Sequence, residues 1–196
     1  MRKVCWLISV LLVLAAMVAC SGPEKAVMQG TEISSDQQQA ILRKKLALLL
    51  EKKSYRRAIE LMSDRKHPGF PAAGMDKEYL LALNGLITAG EEALSRGDHT
   101  VAGQSFRLAL DSYPVPPALR GKVRRNQPQL RKQLETCANR LLEQGLMAYR
   151  SDNLDNAIRR WKEIVVFDPG HQEALKAIET ATVQLRVLQE MEKPGQ

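Results

Sequence analysis

Histidine, cysteine and aromatic side chains are scarce in this 196-residue chain, which holds three His, three Cys and only 5% Phe, Trp and Tyr. His67, His99 and His171 lie far apart, no HExxH pair occurs, and Cys5, Cys20 and Cys137 form no cluster. The spacings that hold a metal ion are therefore missing. Neither a nucleophile elbow nor a glycine-rich phosphate loop is present. Glu91 and Glu92 read as ordinary surface charges on a helical stretch, and His67 and His171, beside Pro68 and Gly170, read as solvent-exposed turn residues. These absences argue against an enzyme, a metal, a cofactor or a small-molecule substrate. Strand-like alternation is scarce too. Apolar residues recur at helical spacing, with Gly and Pro gathered at a few breaks, so the expected fold class is all-α.

The first residues have signal-peptide anatomy: Arg2 and Lys3 precede an apolar run from Val4 to Val18 broken only by Ser9. From Val4 to Cys20 the run is short for a bilayer core, which needs about 20 apolar residues. The run closes in Met17-Val18-Ala19-Cys20, followed by Ser21 and Gly22. These residues resemble the lipobox of bacterial lipoproteins, with Met17 in place of the usual leucine. The resemblance implies a diacylglycerol on the Cys20 sulfur, cleavage before Cys20 and a third acyl chain on the new amino group. Two or three chains give stable anchoring, since each buried methylene contributes about 0.8 kcal/mol. Ser21 resembles the outer-membrane sorting pattern. Without that pathway, Cys20 is a small residue at an ordinary signal-peptidase site or in an uncleaved anchor. Loss of residues 1–19 removes two cations and no acid, so the formal charge of +7 falls to +5. Cys137 is then left without an intrachain disulfide partner and reads as a buried structural thiol. Residues 20–35 read as a flexible tether.

Helices are expected over Asp36 to Glu51, from Ser54 through Met62, and over Asp76 to Ser95 with Leu80, Leu83, Ile87 and Leu94 on the buried side. His67 to Gly74 breaks the pattern, and Gly97 and Asp98 make a turn. A repeat then emerges. Gly90, Ala102, Phe106, Ala109 and Pro114 keep the same order and spacing as Gly145, Ala157, Trp161, Ile164 and Pro169, with Gly97 and Leu110 also in the first segment and Leu154 in the second. Both segments resemble the tetratricopeptide repeat (TPR), a helix-turn-helix unit of about 34 residues, with Ala93 and Ala148 where that family usually has tyrosine. Small residues let the two helices approach, and the aromatic fills the groove beside them. Trp161 is expected to fill this core and not to stack on sugar. A weaker match places Tyr55 at a turn, Ala58 at the crossing and Met62 in the aromatic place.

The resemblance implies a short TPR-like α-solenoid of antiparallel helix hairpins. Residues 36–74 form a degenerate hairpin, 75–116 and 138–171 the two better repeats, and 117–137 a basic insert that extends the following helix. Residues 172–191 form a C-terminal capping helix, with Ala174, Ile178, Ala181, Leu185 and Leu188 on one face, and 192–196 fray.

Between Asp111 and Glu135 no acid interrupts Arg120, Lys122, Arg124, Arg125, Arg131 and Lys132. Such a patch attracts anions, or it is a solvated helix face. Nucleic acid, the ordinary partner of such charge, is not expected for an exported chain. The resemblance implies a lipid-anchored scaffold that binds protein in the cell envelope, on the outer membrane facing the periplasm. The alternative is a binder of anionic envelope glycan or lipid headgroups through residues 120–132.

Overall fold

The computed structural model describes residues 35–63, 74–113 and 117–191. The expected signal peptide, Cys20, the tether through residue 34, His67, Pro114, Pro116 and the last five residues lie outside the described residues, while Ser35, expected to end the tether, opens the first helix. The chain divides into two compact units, Met1–Gln39 and Ala40–Gln196, and of the first only residues 35–39, the opening of a helix, are described.

All regular structure among the described residues is helical. The helices are α1 Ser35–Glu51, α2 Tyr55–Ser63, α3 Asp76–Ser95, α4 His99–Asp111, the four-residue α5 Pro117–Arg120, α6 Gln127–Arg150, α7 Leu154–Phe167 and α8 Gln172–Met191. The first three match the expected helices to within one residue at either end.

One chain reversal recurs after α1, α3 and α6. Lys53, Gly97 and Asp152 take the left-handed conformation, at φ of 53°, 79° and 57°. The next N–H reaches back five residues to a helix carbonyl: Ser54 to Leu49 at 2.8 Å, Asp98 to Ala93 at 2.9 Å and Asn153 to Ala148 at 3.0 Å. This is the Schellman closure, which satisfies carbonyls the helix end would otherwise leave open. Glycine suits the left-handed position, and Asp tolerates it better than most residues. The following helix starts from the same turn. The Asp98 and Asn153 side chains accept from the N–H groups of Val101 and Asn156, capping α4 and α7. Four residues beyond each turn stand Ala58, Ala102 and Ala157, all fully buried, and four further on Met62, Phe106 and Trp161, buried as well.

Close approach of the helices explains the glycines. A Cβ added to Gly90 would lie 2.9 Å from Phe106 Cε1. One on Gly145 would run into the Trp161 indole, one on Gly103 into Phe167 at 2.6 Å, and one on Gly85 into the Tyr55 ring. Each aromatic thus occupies the volume a side chain would have filled. Burying such a ring contributes about 1.5–3 kcal/mol. These contacts join α3 to α2 and α4, α4 to α7, and α6 to α7, while α4 also packs on α6 and α7 on α8.

Two features depart from expectation. The buried side of α3 is broader than a single stripe: Tyr79, Ala82, Leu83, Leu86 and Ile87 are buried, whereas Leu80 and Leu94 are only half-buried. Packing against helices on two sides requires the wider face. Within the basic segment, Pro128 falls in the first turn of α6, where its missing N–H costs nothing. Asn126 caps that turn, and the Gln129 side chain reciprocates by accepting from the Asn126 N–H. Finally, Leu188 is 44% exposed and does not join the buried face of α8, which consists of Ala174 and Ala181 with Ile178 and Leu185 at its margin. With 20 residues against the 14 of α7, α8 runs past the helix beneath it by about 9 Å. Its opposite face carries exposed Val183 and Val187, unlike the polar outer face of a terminal cap.

Candidate functional site

Asn84 and Glu91 stand two turns apart on one face of α3, and both reach the basic segment that joins α5 to α6. The Asn84 side-chain oxygen accepts from the Arg124 N–H at 2.7 Å, while its amide donates to the Lys122 carbonyl at 3.1 Å. Glu91 takes one arginine on each oxygen, Arg124 Nε at 2.9 Å and Arg125 Nε at 2.7 Å. Partial burial alone would raise the Glu91 carboxyl. Hydrogen bonds from Arg125 and Arg124, together with their charges, outweigh that and hold it below the usual carboxylate range. Glu91 is therefore a clamp for the loop, which corrects its reading as an ordinary surface charge.

The six basic residues do not share one environment. Arg124 and Arg125 turn onto α3. Arg120 ends α5, and Lys122 and Lys132 are exposed. Arg131 borders a depression of about 350 Å³ together with Arg107, Leu134, Glu135, Asp168 and His171. Here Arg107 Nη2 pairs with Asp168 at 2.8 Å, and Arg107 Nε donates to the Phe167 carbonyl at 2.7 Å, tying α4 to the end of α7. Cations and carboxylates alternate around this depression.

A second concavity, of about 310 Å³, is apolar. Leu146, Tyr149 and Trp161 form one wall, and Glu173, Lys176, Ala177 and Thr180 of α8 the other. The Trp161 Nε1–H donates to the Leu142 carbonyl at 3.3 Å, and the Tyr149 ring lies 5.9 Å away, tilted by 41°. Trp161 is 4% exposed, so its ring floors the cleft instead of offering a stacking face. The Tyr149 hydroxyl donates to the Gln184 side chain at 2.7 Å.

The remaining candidates have structural surroundings. Gly90, Ala102, Phe106, Gly145, Ala157 and Trp161 meet in the helix crossings, Pro169 is exposed in the turn after α7, and Pro114 lies outside the described residues. His171 is not a freely solvated turn residue, because its half-buried imidazole Nδ1 accepts from the Ala174 N–H and caps α8. His99 Nδ1 is buried without a partner. Burial, followed by the Arg140 charge, lowers its pKa against an opposing pull from Asp98. Cys137 is fully buried, and burial pushes its thiol up to about 11. No group of three or more potential metal ligands occurs among the described residues, and none of the described helices is long and apolar enough to cross a membrane.

Gly85 against Tyr55, Gly103 against Phe167 and the Glu91 clamp escaped sequence reasoning. The one available signal was the excess of small residues on α3 and α4. No protein-family model, curated protein or solved structure matches the chain.

Proposed function

We propose that the chain is a TPR-like helical scaffold, anchored through lipid on Cys20 in a bacterial cell envelope, that holds another envelope protein and performs no chemistry of its own. The observation that carries this reading is the turn repeated at Lys53, Gly97 and Asp152. Each instance has the same backbone hydrogen bond, a buried alanine five residues after the left-handed residue, and a large buried side chain four residues later. A chain that reuses one hairpin stacks copies of it, and stacked hairpins present an extended surface suited to a peptide or helix of a partner. The glycine-to-aromatic crossings support the same reading, since those side chains are spent on packing.

The lipid is tested by growing cells with an alkyne-bearing fatty acid. The mature protein should carry the label, and Cys20→Ala should abolish it. The scaffold is tested by crosslinking in native membranes followed by mass spectrometry, with Lys122→Glu/Lys132→Glu as the comparison. Arg124 and Arg125 are left alone because they hold the loop to α3. Recovery of the same envelope protein from both supports the scaffold. If only lipid or wall polymer is recovered, and the variant loses it, the binding of anionic glycan or lipid headgroups through residues 120–132 replaces that reading.

A further inference from the structure

The outward face of α8 is a surface that the hairpin reading leaves unused. Val183 is 54% and Val187 48% exposed, Met191 stands clear at the end, and Thr180 lies one turn earlier on the same side. Lys176, Glu179, Arg186 and Glu190 surround these residues, and none of the four belongs to an ion pair found among the described residues. At about 100° per residue, Thr180, Val187 and Met191 fall on one flank of a line through Val183, and Glu179, Arg186 and Glu190 on the other.

We infer that this face binds a second copy of the chain, the two α8 helices lying antiparallel about a two-fold axis beside Val183. In such a pair the contacts are isologous, and residues equally far before and after the axis meet on the same flank. Val183 then meets its own copy. On the polar flank Glu179 meets Arg186 of the other copy, and close to the line through Val183 Lys176 meets Glu190, each pair occurring twice. On the apolar flank Thr180 meets Val187 of the other copy, and the Lys176 stem meets Met191.

The match is specific. Sliding one helix along the other by one turn in either direction sets Glu179 against Glu190 or Lys176 against Arg186, so the neighbouring registers bring like charges together. The cleft adds a second observation. Ala177 and Thr180 form its α8 wall, on the flank where the other copy's Val187 and Met191 arrive. Those two side chains would enter the apolar cavity lined by Leu146, Tyr149 and Trp161, covering an exposed stripe and filling a cavity in one step. A single helix pair buries less than the roughly 800 Å² per partner of a standard stable interface, so the dimer is concentration-dependent.

The test uses the full-length protein in its own membranes. Val183→Cys is treated with a short bismaleimide crosslinker, with Val166→Cys on the exposed side of α7 as the control; Cys137 is buried in both. A dimer that contains only this chain is expected from Val183→Cys and not from Val166→Cys. In the Val183→Cys background, Glu179→Arg or Arg186→Glu alone should weaken dimer formation by about tenfold. The double exchange should restore it, because the swapped charges attract again. Surface substitutions of this kind leave the fold intact, which the circular dichroism spectrum checks. Absence of a Val183→Cys dimer, crosslinking to a different protein instead, or a double exchange no better than either single change would each overturn the inference.

Discussion

Replacing Gly145 by Ala pits two effects of opposite sign against each other. In an exposed helix interior the change stabilises by about 1 kcal/mol, because alanine loses less backbone freedom than glycine. At Gly145 the new methyl group meets the Trp161 indole along one edge, with Cδ1 and Cε2 both 2.6 Å away. Three ring atoms are approached together, so rotating the ring does not relieve the overlap. The ring is also held by its hydrogen bond to the Leu142 carbonyl and is almost wholly enclosed. Overpacking of this kind costs about 1–3 kcal/mol, and the upper end applies where the neighbour cannot retreat. The net expectation is a loss of about 2 kcal/mol, or a fall in Tm of about 4–8 °C for a chain of this length. Urea unfolding followed at 222 nm reads it, with Gly121→Ala as a control where no atom lies within 4 Å of the new Cβ. Trp161→Leu should remove most of the penalty, leaving a coupling of about 1 kcal/mol or more in the double-mutant cycle. A Gly145→Ala protein that gains stability would refute the close crossing of α6 and α7.

Glu91→Gln should cost about 1 kcal/mol after discounting for the exposed arginines, with the difference shrinking in 1 M salt; equal stability at low salt would show that the loop does not depend on the clamp. Because its folded pKa is depressed, the stability Glu91 contributes is present above its ordinary value of 4.5 and is lost as pH falls through the lower folded value. His99 acts in a different window. Its folded pKa is also depressed, so the unfolded chain takes up the proton first, and stability falls as pH drops from about 6.5 towards the folded value; His99→Gln should flatten that part of a Tm-versus-pH curve, and an unchanged curve would remove His99 as its cause. Cys137, with its thiol near 11, should react with a maleimide at pH 8 only as fast as the chain opens, and immediate labelling of the native protein at this residue would contradict its burial.

What the sequence made legible was local. The turn at Gly97 carries its own glycine and an aspartate cap, so both ends of the reversal are written within a few residues. Ala102 with Phe106, and Ala157 with Trp161, repeat at a fixed spacing that a periodic scan finds. Pairing across distance was not legible. Nothing near Glu91 announces that Arg124 and Arg125 will arrive from more than thirty residues away, and a lone carboxylate on a helix looks the same whether clamped or solvated. Gly85 and Gly103 lower helix propensity without saying which ring they receive. The apolar spacing of α8 marked its inner face correctly at Ala174 and Ala181, yet the spacing continues through Leu188 after the supporting helix has ended.

The Glu91 clamp also bears on the choice between the two readings of the basic segment. If residues 120–132 existed to bind an anionic polymer, Arg124 and Arg125 would be its strongest donors, since a guanidinium presents a fixed fork to phosphate or carboxylate. Both are already engaged by a carboxylate of the same chain at normal hydrogen-bond distance. Glu91 engages the Nε of each, so an incoming anion would meet only the remaining guanidinium N–H groups, beside a carboxylate that already offsets their charge. Around Arg131 the carboxylates Glu135 and Asp168 stand beside the cations, which lowers the attraction further. The charges of Arg124 and Arg125 therefore act first to fasten the connection between α5 and α6 to α3. Glu91 thus offsets the two guanidiniums best shaped for a polyanion, and the cations left most accessible to one are Lys122 and Lys132, the pair that the crosslinking variant replaces.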